Sequence, residues 1–303
     1  MKLDFDCIII GAGVAGMTSA LYLKRAGIDV AIIEKNYVGG QINKTNIIEN
    51  YPGFQKIDGP TFSLTIESQL KSLDVPIIYR NVLDIKEKEK IKEVITDKEI
   101  YKAKAIVVAT GKTERKLGLP LEGELTGHGV SYCATCDGNF CKNRDVAIVG
   151  AGNTAMEEAL YLSNICSKVY LINRTNLFPK ADNILLEKVK NKENITIITN
   201  SVVTILLQNN QTLSGIVLND NRQLNVAGLF IAIGSIPDIS FLRNLNLETE
   251  NEYIIVNNHM ETNIKGIFAC GDIIKKDLYQ IITAASDGAI AANSVKKYLL
   301  ERW

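Results

Sequence analysis

The chain contains the same strand, turn, helix and strand pattern twice. Residues 6–35 read DCIIIGAGVAGMTSALYLKRAGIDVAIIEK, and residues 145–174 read DVAIVGAGNTAMEEALYLSNICSKVYLINR. Each copy has a β-branched run, a glycine turn, an amphipathic helix and a second β-branched run. This is the pattern of a βαβ unit with parallel strands. Two copies predict an α/β chain with two doubly wound, Rossmann-like domains.

The glycine turns of both copies fit a bound dinucleotide. A lone GxGxxG pattern is weak evidence, because a glycine turn can serve chain geometry alone. Two in register, each directly after a strand and opening a helix, are strong evidence. The glycines let backbone amides reach a pyrophosphate at the helix N-terminus, where the macrodipole favours negative charge. The turn residues are Gly11, Gly13, Ala15 and Gly16 in the first copy, and Gly150, Gly152, Asn153 and Thr154 in the second.

Composition limits the partners and the compartment. The chain has 303 residues, of which 46% are hydrophobic, enough to fill the cores of two domains. Its formal net charge of zero gives no global basic field for nucleic acid. Six cysteines with one close pair do not resemble a secreted disulfide framework, and free thiols fit a reducing, cytoplasmic compartment.

No membrane segment is expected. The apolar residues 7–23 contain early glycines and follow Asp4 and Asp6, so a strand, turn and helix explain them better than a signal peptide does. No other stretch approaches the length and purity of a transmembrane helix. We therefore expect no membrane partner.

The end of the chain predicts that one domain is inserted in the other. A buried strand that ends in Gly-Asp, residues 266–272, is followed by a long helix from about residue 280 to residue 302. This tail has no repeat of its own and is expected to complete the first sheet. We therefore expect one discontinuous domain, residues 1–112 and 243–303, with a second domain, residues 113–242, nested within it.

Alternating apolar and polar residues also predict a β-meander in each domain. The meander strands are expected at 75–79, 82–86 and 90–96 in the first domain and at 195–207 and 213–218 in the second. A further strand in each domain, 101–111 or 225–234, then runs into a small-residue turn.

The sequence CATCD at residues 133–137 lies between the two repeats. Two cysteines two residues apart can close a disulfide ring, share a metal or simply pack. The two flanking nucleotide-type loops favour a redox dithiol, and the adjacent acid is a candidate proton donor for the thiolate made when the disulfide opens. A metal would need two further ligands at suitable spacing, which Cys141, His128 and His259 do not provide, so no metal site is expected.

The motifs together have the order and spacing of a known family. They are Gly11–Gly16, Glu34, Gly39–Gln41, Glu49–Gly53, Ala109–Gly111, Cys133–Asp137, Gly150–Ala155 and Gly271–Asp272. In this the chain resembles the low-molecular-weight bacterial thioredoxin reductases over essentially its whole length. The resemblance implies a homodimeric flavoenzyme, with FAD in the first domain and a pyridine nucleotide in the nested one. Electrons would pass from NADPH to FAD, then to the disulfide, then to thioredoxin.

The resemblance assigns FAD contacts to the first domain. Glu34 closes the second strand of the first repeat, where an acid accepts hydrogen bonds from an adenosine ribose. Asp272 matches an acid that hydrogen-bonds the ribityl chain. The expected FAD contacts are Gly11, Gly13, Ala15, Gly16, Glu34, Lys35, Gly40, Gln41, Asn50, Thr110, Gly111, Gly271, Asp272, Gln280 and Ile281.

The resemblance also assigns roles around the disulfide. It implies that Cys136 faces the flavin, that Cys133 attacks the disulfide of thioredoxin, and that Asp137 is the proton donor. Phe140 matches an aromatic residue of the thioredoxin-docking surface, although its neighbour here is Asn139 rather than a second Phe.

The chain departs from the family at the second nucleotide site. The family reads the 2′-phosphate of NADPH with the cluster His-Arg-Arg-x-x-x-Arg, whereas residues 173–179 read NRTNLFP and are followed by Lys180. Arg174 is the one arginine that remains, and two bidentate phosphate contacts are lost unless Lys180 substitutes. The candidate nucleotide contacts are Gly150, Gly152, Asn153, Thr154, Arg174 and Lys180.

A second departure lies at residues 279–281, where the family has Arg-Gln-Ala beside the isoalloxazine. Here Tyr279 and Ile281 are bulky, and both are expected to pack near the flavin and alter access to it.

These residues do not decide which molecule is the electron donor. NADPH is the family default. NADH, or mixed specificity, is the second alternative, although Asn173 is not an acid that would select NADH actively. Reduced ferredoxin is the third alternative, because the resemblance includes anaerobe members that have abandoned pyridine nucleotides. The intact glycine turn counts against ferredoxin, and the lost cluster counts for it. A ferredoxin–NADP reductase and a non-catalytic flavoprotein are further alternatives; Cys133 and Cys136 count against the first.

Overall fold

The computed structural model describes residues 3–45, 47–88, 90–179 and 181–303. The chain divides into two compact units, one of residues 1–113 and 236–303 and one of residues 114–235. In chain order the strands and helices are β1 Phe5–Ile10, α1 Val14–Arg25, β2 Val30–Glu34, α2 Gly59–Ser72, β3 Ile77–Tyr79, β4 Val82–Lys88, β5 Ile91–Thr96, β6 Ile100–Val108, β7 Lys112–Glu114, α3 Glu122–Leu125, β8 Val130–Ser131, α4 Ala134–Asp137, β9 Asp145–Val149, α5 Asn153–Ser163, β10 Lys168–Ile172, α6 Asn183–Lys190, β11 Ile195–Ile198, β12 Val203–Asn209, β13 Thr212–Leu218, β14 Gln223–Leu224, β15 Gly228–Ile231, β16 Ser235–Pro237, β17 Thr249–Glu250, β18 Tyr253–Ile254, β19 Ile267–Ala269 and α7 Ile281–Arg302.

A mixed sheet of seven strands forms the centre of the first unit. Strand β1 pairs in parallel with β2 and β6, and β2 pairs in parallel with β3. The apolar run of β1, residues 7–10, is buried because both faces of the sheet are covered, as is usual for parallel strands. The long strand β6 pairs with β5 along its first half and in parallel with β19 along its second. The prediction that the end of the chain completes the first sheet is therefore confirmed.

The second unit repeats this plan on a smaller scale. Five parallel strands follow the order β11-β10-β9-β15-β8. The second repeat supplies β9, α5 and β10, as the first supplies β1, α1 and β2. Both copies therefore form the expected βαβ units, and the α/β doubly wound fold class is confirmed.

The meander predictions are wrong in two strands. Strand β3 pairs in parallel with β2, so only β4, β5 and β6 form the antiparallel part. The expected strand 195–207 is two strands: β11 joins the parallel sheet, and β12 belongs to a separate antiparallel sheet with β13 and β14. Short apolar runs carry too little periodicity to separate a parallel edge strand from a meander strand.

Both predicted domain boundaries need correction, the first by one residue and the second by seven. Residues 236–242 were assigned to the nested domain, but they group with the first unit. The reason is that Phe241 and Leu242 are buried in the apolar core of that unit. At the two crossings of the chain, β7 and β16 pair as a two-stranded sheet.

None of the helices in the described residues combines the length and the apolar character needed to cross a membrane.

Gly288 sets the distance between α7 and α1. A Cβ atom at this position would lie 2.2 Å from the carbonyl oxygen of Ala15, in the first turn of α1. Backbone cannot move away as the end of a flexible side chain can. A glycine at residue 288 is therefore what allows α7 to pack against the start of α1.

We expect Gly288→Ala to destabilise the protein. Overpacking of this kind costs roughly 1–3 kcal/mol, more than the gain of about 1 kcal/mol that alanine brings to a helix interior. The midpoint of urea unfolding should fall for Gly288→Ala and stay unchanged for Ser286→Ala, an exposed position on the same helix. Equal midpoints for the two variants would contradict the packing argument.

Candidate functional site

The glycine turn between β1 and α1 is tightly packed on one side and open on the other. A Cβ atom on Gly11 would lie 2.5 Å from the carbonyl oxygen of Ala109, and one on Gly16 would lie 2.0 Å from that of Gly11. A Cβ atom on Gly13, the N-cap of α1, would meet nothing within 4 Å. The free amides of the first helical turn therefore adjoin open space, which suits an anionic group.

Glu34 holds this turn against the end of β2. Its carboxylate accepts hydrogen bonds from the backbone amides of Ala12 at 2.8 Å and Asn36 at 2.9 Å. A carboxylate has further lone pairs, so these two bonds leave acceptor capacity for a ligand hydroxyl. The neighbouring Lys35 is exposed, and its Nζ lies 3.9 Å from the carboxylate of Asp238.

All the expected FAD contacts lie in the first unit, mostly after the ends of parallel strands. The carboxyl ends of parallel strands meet at one edge of a sheet, so the loops that follow β1, β2, β6 and β19 come together there. A Cβ atom on Gly40 would lie 3.7 Å from the Cα of Gly13, and one on Gly271 would lie 2.7 Å from the Cβ of Ala15. The positions in these loops and at the start of α7 are Gly11, Gly13, Ala15, Gly16, Glu34, Lys35, Gly40, Gln41, Asn50, Thr110, Gly111, Gly271, Asp272, Gln280 and Ile281.

Two side-chain amides tie these loops together. Gln41 donates from Nε2 to the carbonyl oxygen of Lys112 at 2.9 Å. Asn50 donates from Nδ2 to Oε1 of Gln280 at 3.0 Å. Gln280 is also the N-cap of α7, where it forms a capping box with Thr283. Gln41 is thus fixed to β7, and Asn50 is fixed to the start of α7.

Two buried polar atoms at this edge have no hydrogen-bond partner among the described residues. They are the hydroxyl of Thr110 after β6 and Oδ1 of Asp272 after β19. Oδ1 of Asp272 lies 3.5 Å from Nζ of Lys276 and is ion-paired with it. An unsatisfied buried polar atom costs roughly 1–3 kcal/mol, so this pair indicates a polar ligand. A carboxylate and a hydroxyl suit the hydroxyls of a ribityl chain, and the open turn at Gly13 suits a pyrophosphate; the residues fit FAD.

Tyr279 lies beneath a lysine that sequence reasoning did not select. Nζ of Lys112 is 3.2 Å from the centroid of the Tyr279 ring and 5.0 Å from that of Tyr253. Lys276, whose Nζ is 5.5 Å from the Tyr279 ring, forms an ion pair of 2.7 Å with Asp287. Burial raises the pKa of the Tyr279 hydroxyl. Lys112 is distant in sequence from both tyrosines, so no local pattern indicated this contact.

Ile281 has different neighbours from Tyr279. It packs against a small apolar cluster formed by Val14, Ile42, Ile48 and Phe62. Of these two bulky residues, Tyr279 therefore packs against a lysine cation and Ile281 against apolar side chains.

In the second unit, Cys133 and Cys136 form a disulfide at the first turn of α4. Cys133 is the N-cap of this turn, and its Sγ accepts a hydrogen bond from the amide of Cys136 at 3.2 Å. The hydroxyl of Thr135 lies 3.3 Å from the same sulfur. Cys133 is 9% exposed, whereas Cys136 is an exposed residue.

Ser131 joins Asp137 to the backbone of Cys133 within the redox loop, residues 131–140, which carries the disulfide. The Ser131 hydroxyl donates to Oδ2 of Asp137 at 2.6 Å, and its oxygen accepts from the amide of Cys133 at 3.1 Å. The amide of Asp137 in turn donates to the carbonyl oxygen of Cys133 at 3.1 Å. The acid therefore has one fixed orientation beside the disulfide. Sequence reasoning missed Ser131, whose position two residues before the first cysteine was the available signal.

A buried carboxylate supports the strand that leads into the disulfide. Glu122 is 3% exposed and accepts a hydrogen bond from the hydroxyl of Tyr132 at 2.6 Å. It also accepts from the backbone amides of residues 117, 118 and 119. Burial raises the pKa of Glu122, but the bonds from Tyr132 and these amides outweigh it, so the pKa is lowered overall. The ionised carboxylate fixes residues 117–119 to the residue before Cys133, a link that no sequence pattern indicated.

The other four cysteines are free, buried thiols. Burial raises the pKa of the Cys166 thiol to about 11 and also raises that of Cys141. The pKa values of Cys7 and Cys270 are raised by complete burial, which confirms the prediction that both are core residues. Thiols with raised pKa values are unreactive at neutral pH.

The glycine turn of the second repeat is as tightly packed as the first. A Cβ atom on Gly150 would lie 2.4 Å from the carbonyl oxygen of Ala232. Gly152 is the N-cap of α5, and Thr154 in its first turn is exposed. Oδ1 of Asn153 accepts a hydrogen bond from the amide of Asp182 at 2.6 Å, which ties the start of α5 to the N-cap of α6.

The loop after β10 is closed upon itself. Asn173 is 3% exposed, and its Nδ2 donates to the carbonyl oxygen of Leu177 at 2.8 Å. Its side chain therefore points inward. Arg174 is exposed, Asp182 adds an exposed acid nearby in sequence, and Lys180 lies outside the described residues.

Comparisons with known proteins agree with this arrangement. A family model described as pyridine nucleotide-disulphide oxidoreductase matches residues 5–289. The thioredoxin reductase of Listeria monocytogenes serovar 1/2a is 39% identical over 98% of this chain and 94% of its own. The structure of Lactococcus lactis thioredoxin reductase in the FR conformation gives a TM-score of 0.87 at 37% identity, covering 98% of this chain and 100% of that one. A ferredoxin-flavin thioredoxin reductase from Clostridium acetobutylicum gives a TM-score of 0.57 at 29% identity, with 99% of both chains covered.

We expect Glu122→Gln to destabilise the protein by roughly 1–3 kcal/mol at pH 7, because an amide cannot accept all four hydrogen bonds. A carboxyl with a lowered pKa stabilises the fold above its ordinary value of 4.5, and this stabilisation is lost as pH falls through the lower folded value. Urea unfolding at pH 7 and at lower pH should therefore show that the difference in the free energy of unfolding between Glu122→Gln and the wild type becomes smaller as the pH falls. Glu124→Gln, an exposed change on the same short helix, is the control and should show no such difference.

Proposed function

Because the chain belongs to the thioredoxin reductases of the pyridine nucleotide-disulphide oxidoreductase family, we propose that it transfers electrons through FAD and the Cys133–Cys136 disulfide to thioredoxin. The observation that carries the proposal is this disulfide, with Asp137 fixed beside it and two hydrogen-bond donors on one of its sulfurs. The other four cysteines are buried thiols, which leaves this pair as the redox centre.

Residues at the sheet edge of the first unit hold FAD in this proposal. FAD, when bound, supplies the two-electron chemistry that links the donor to the disulfide. The open turn at Gly13 takes the pyrophosphate, and Glu34 accepts hydrogen bonds from the adenosine ribose. Thr110 and Asp272, whose buried oxygens have no hydrogen-bond partner among the described residues, take hydroxyls of the ribityl chain.

Tyr279 and Lys112 belong to the same site in this proposal. Both adjoin residues expected to contact FAD, since Tyr279 precedes Gln280 and the carbonyl of Lys112 holds Gln41. A lysine over the ring restrains Tyr279 by a cation–π contact, and the pair forms part of the wall of the flavin site.

The two cysteines have different tasks. Two electrons open the disulfide and leave one thiolate and, after uptake of one proton, one thiol. Cys133 carries the thiolate that attacks thioredoxin, Cys136 is the sulfur that faces the flavin, and Asp137 handles the proton. Ser131 holds Asp137 in place for this step.

We expect Cys136→Ser to abolish thioredoxin reduction and to leave FAD bound, because the variant cannot close the ring disulfide. The measurements are insulin-coupled thioredoxin turnover and the visible absorbance of the purified protein. Cys166→Ala, which removes a buried thiol elsewhere in the same unit, is the control and should retain turnover. Unchanged turnover in Cys136→Ser would favour a flavoprotein without dithiol chemistry.

We propose NADPH as the electron donor, bound with weak discrimination against NADH. The turn at Gly150 and the N-terminus of α5 keep the geometry that a pyrophosphate needs. Of the described residues in the following loop, Arg174 alone offers a cation, while Asn173 is turned inward. A single arginine forms fewer hydrogen bonds to a 2′-phosphate dianion than a cluster of arginines does, so it distinguishes NADPH from NADH only weakly.

The donor proposal predicts that NADPH and NADH both bleach the flavin under anaerobic conditions, with second-order rate constants within about tenfold of each other. Thr175→Arg should raise the preference for NADPH by about tenfold, because it restores one charged hydrogen bond to the phosphate. Thr212→Arg, an exposed change on β13, should leave the ratio unaltered. Bleaching by reduced ferredoxin but by neither nucleotide would contradict the proposal and favour the chemistry named for the Clostridium relative.

The proposal extends to partners and location. Phe140 is 78% exposed in the turn that follows Asp137, and we propose that it contacts thioredoxin. A homodimer is part of the proposal on the strength of the family resemblance. A cytoplasmic location is supported by the four free cysteines, which suit a reducing compartment.

A further inference from the structure

We propose that Thr135 is a catalytic residue, whose hydroxyl donates a hydrogen bond to the Cys133 sulfur when that sulfur carries negative charge. The inference rests on the proposed function, because it concerns the sulfur that attacks thioredoxin. It adds to that function a residue inside the redox ring with a specific chemical task.

Two donors already converge on the sulfur of Cys133 in the disulfide state. The amide of Cys136 donates to it at 3.2 Å, and the Thr135 hydroxyl lies 3.3 Å away. A disulfide sulfur is a weak acceptor, so these contacts contribute little while the ring is closed. A thiolate in the same place is a charged acceptor, and charged hydrogen bonds are roughly twice as strong as neutral ones.

The arrangement is different at the other sulfur. No hydrogen bond in the part of the chain that the structure describes ends on Sγ of Cys136, which is an exposed residue. When the ring opens, negative charge is therefore better stabilised on Cys133 than on Cys136. The geometry thus makes Cys133 the nucleophile by a local cause, independent of any partner.

The positions of both donors are set before the ring opens. The amide of Cys133 donates to Ser131 at 3.1 Å, and its carbonyl accepts from the amide of Asp137 at 3.1 Å, so the backbone on either side of the sulfur is restrained. Thr135 lies in the single turn of α4 between these points. Donors that are already in place need no reorganisation when charge develops.

The exchange balances without any further reactant. The Cys133 thiolate attacks one sulfur of the thioredoxin disulfide, a mixed disulfide forms, and the other thioredoxin sulfur leaves as a thiolate. The Cys136 thiol then loses its proton to Asp137 or water, and its sulfur attacks Sγ of Cys133. The ring disulfide closes, and the first thioredoxin sulfur leaves as a second thiolate, so that thioredoxin has gained two electrons in total. Thr135 transfers neither proton nor electron; it stabilises the charge from which the first attack starts.

The test isolates Cys133 in a Cys136→Ser background, where it is the one thiol of the pair that remains. The rate of Cys133 alkylation by iodoacetamide is measured against pH, by mass spectrometry of the peptide that contains it. Adding Thr135→Val removes the hydroxyl and should shift the midpoint of the pH profile upward by about one unit, a tenfold loss of thiolate below the midpoint. Adding Thr135→Ser keeps a hydroxyl and should leave the profile close to that of the parent.

Two results would overturn the proposal. One is an unshifted profile for Thr135→Val, and the other is an equal shift for Thr135→Val and Thr135→Ser, which would indicate packing of the threonine methyl instead. If Thr135→Val fails to fold, Thr135→Ala takes its place, with flavin absorbance as the check on folding.

A second measurement in the otherwise unchanged enzyme separates catalysis from structure. In Thr135→Val the rate of flavin bleaching by the donor should stay at the wild-type value, while kcat/KM for thioredoxin falls by about threefold or more, since the lost thiolate is partly offset by a more nucleophilic sulfur. Equal loss in both half-reactions would count against the proposal. Absence of thioredoxin reduction in the wild-type enzyme would refute the proposed function. The alkylation profile would still test the hydrogen bond from Thr135 to Cys133, because it does not depend on thioredoxin.

Discussion

The close approach of two stretches of backbone at the glycine turns is the constraint on which both units depend. At Gly11 and Gly16 there is no room for a Cβ atom, because carbonyl oxygens of the turn itself and of residue 109 after β6 occupy that space. At Gly150 the carbonyl of Ala232 plays the same part. This contact brings the start of each repeat helix to the edge where the parallel strands end. The loops that carry the polar side chains are gathered at that edge, so the first site follows from the packing.

The two repeat units diverge in the side chains around this shared backbone. In the first unit, Thr110 and Asp272 keep buried oxygens without a hydrogen-bond partner among the described residues, as expected where a ligand completes the bonding. In the second unit, two asparagine side chains of the repeat bond to the protein itself. Asn153 binds the amide of Asp182, and Asn173 binds the carbonyl of Leu177. The shared backbone therefore carries different side-chain hydrogen bonds in the two units.

The redox loop is organised by short-range hydrogen bonds and by Ala134, which is buried in the apolar core of the second unit. Ser131, Thr135 and Asp137 lie within six residues of one another, and each forms a side-chain contact with another residue of the loop. Longer-range support comes from Glu122, which fixes the preceding strand through Tyr132. The loop is therefore rigid on its inner side, around Cys133, and exposed on its outer side, at Cys136 and Phe140. This division suits a dithiol that stores charge on one sulfur and meets another protein.

The sequence by itself determined the two βαβ units, the discontinuous first domain, the disulfide pair and the glycine turns. These features depend on glycine spacing, β-branched runs and residue pairs close in the chain, all of which are local signals. Tertiary structure alone decided that β3 and β11 join the parallel sheets, that Phe241 is buried in the core of the first unit, and that Lys112 lies over Tyr279. It also decided which sulfur of the disulfide receives two donors. These outcomes depend on contacts between segments, or on the direction of a side chain in space, and residue spacing carries no information about either.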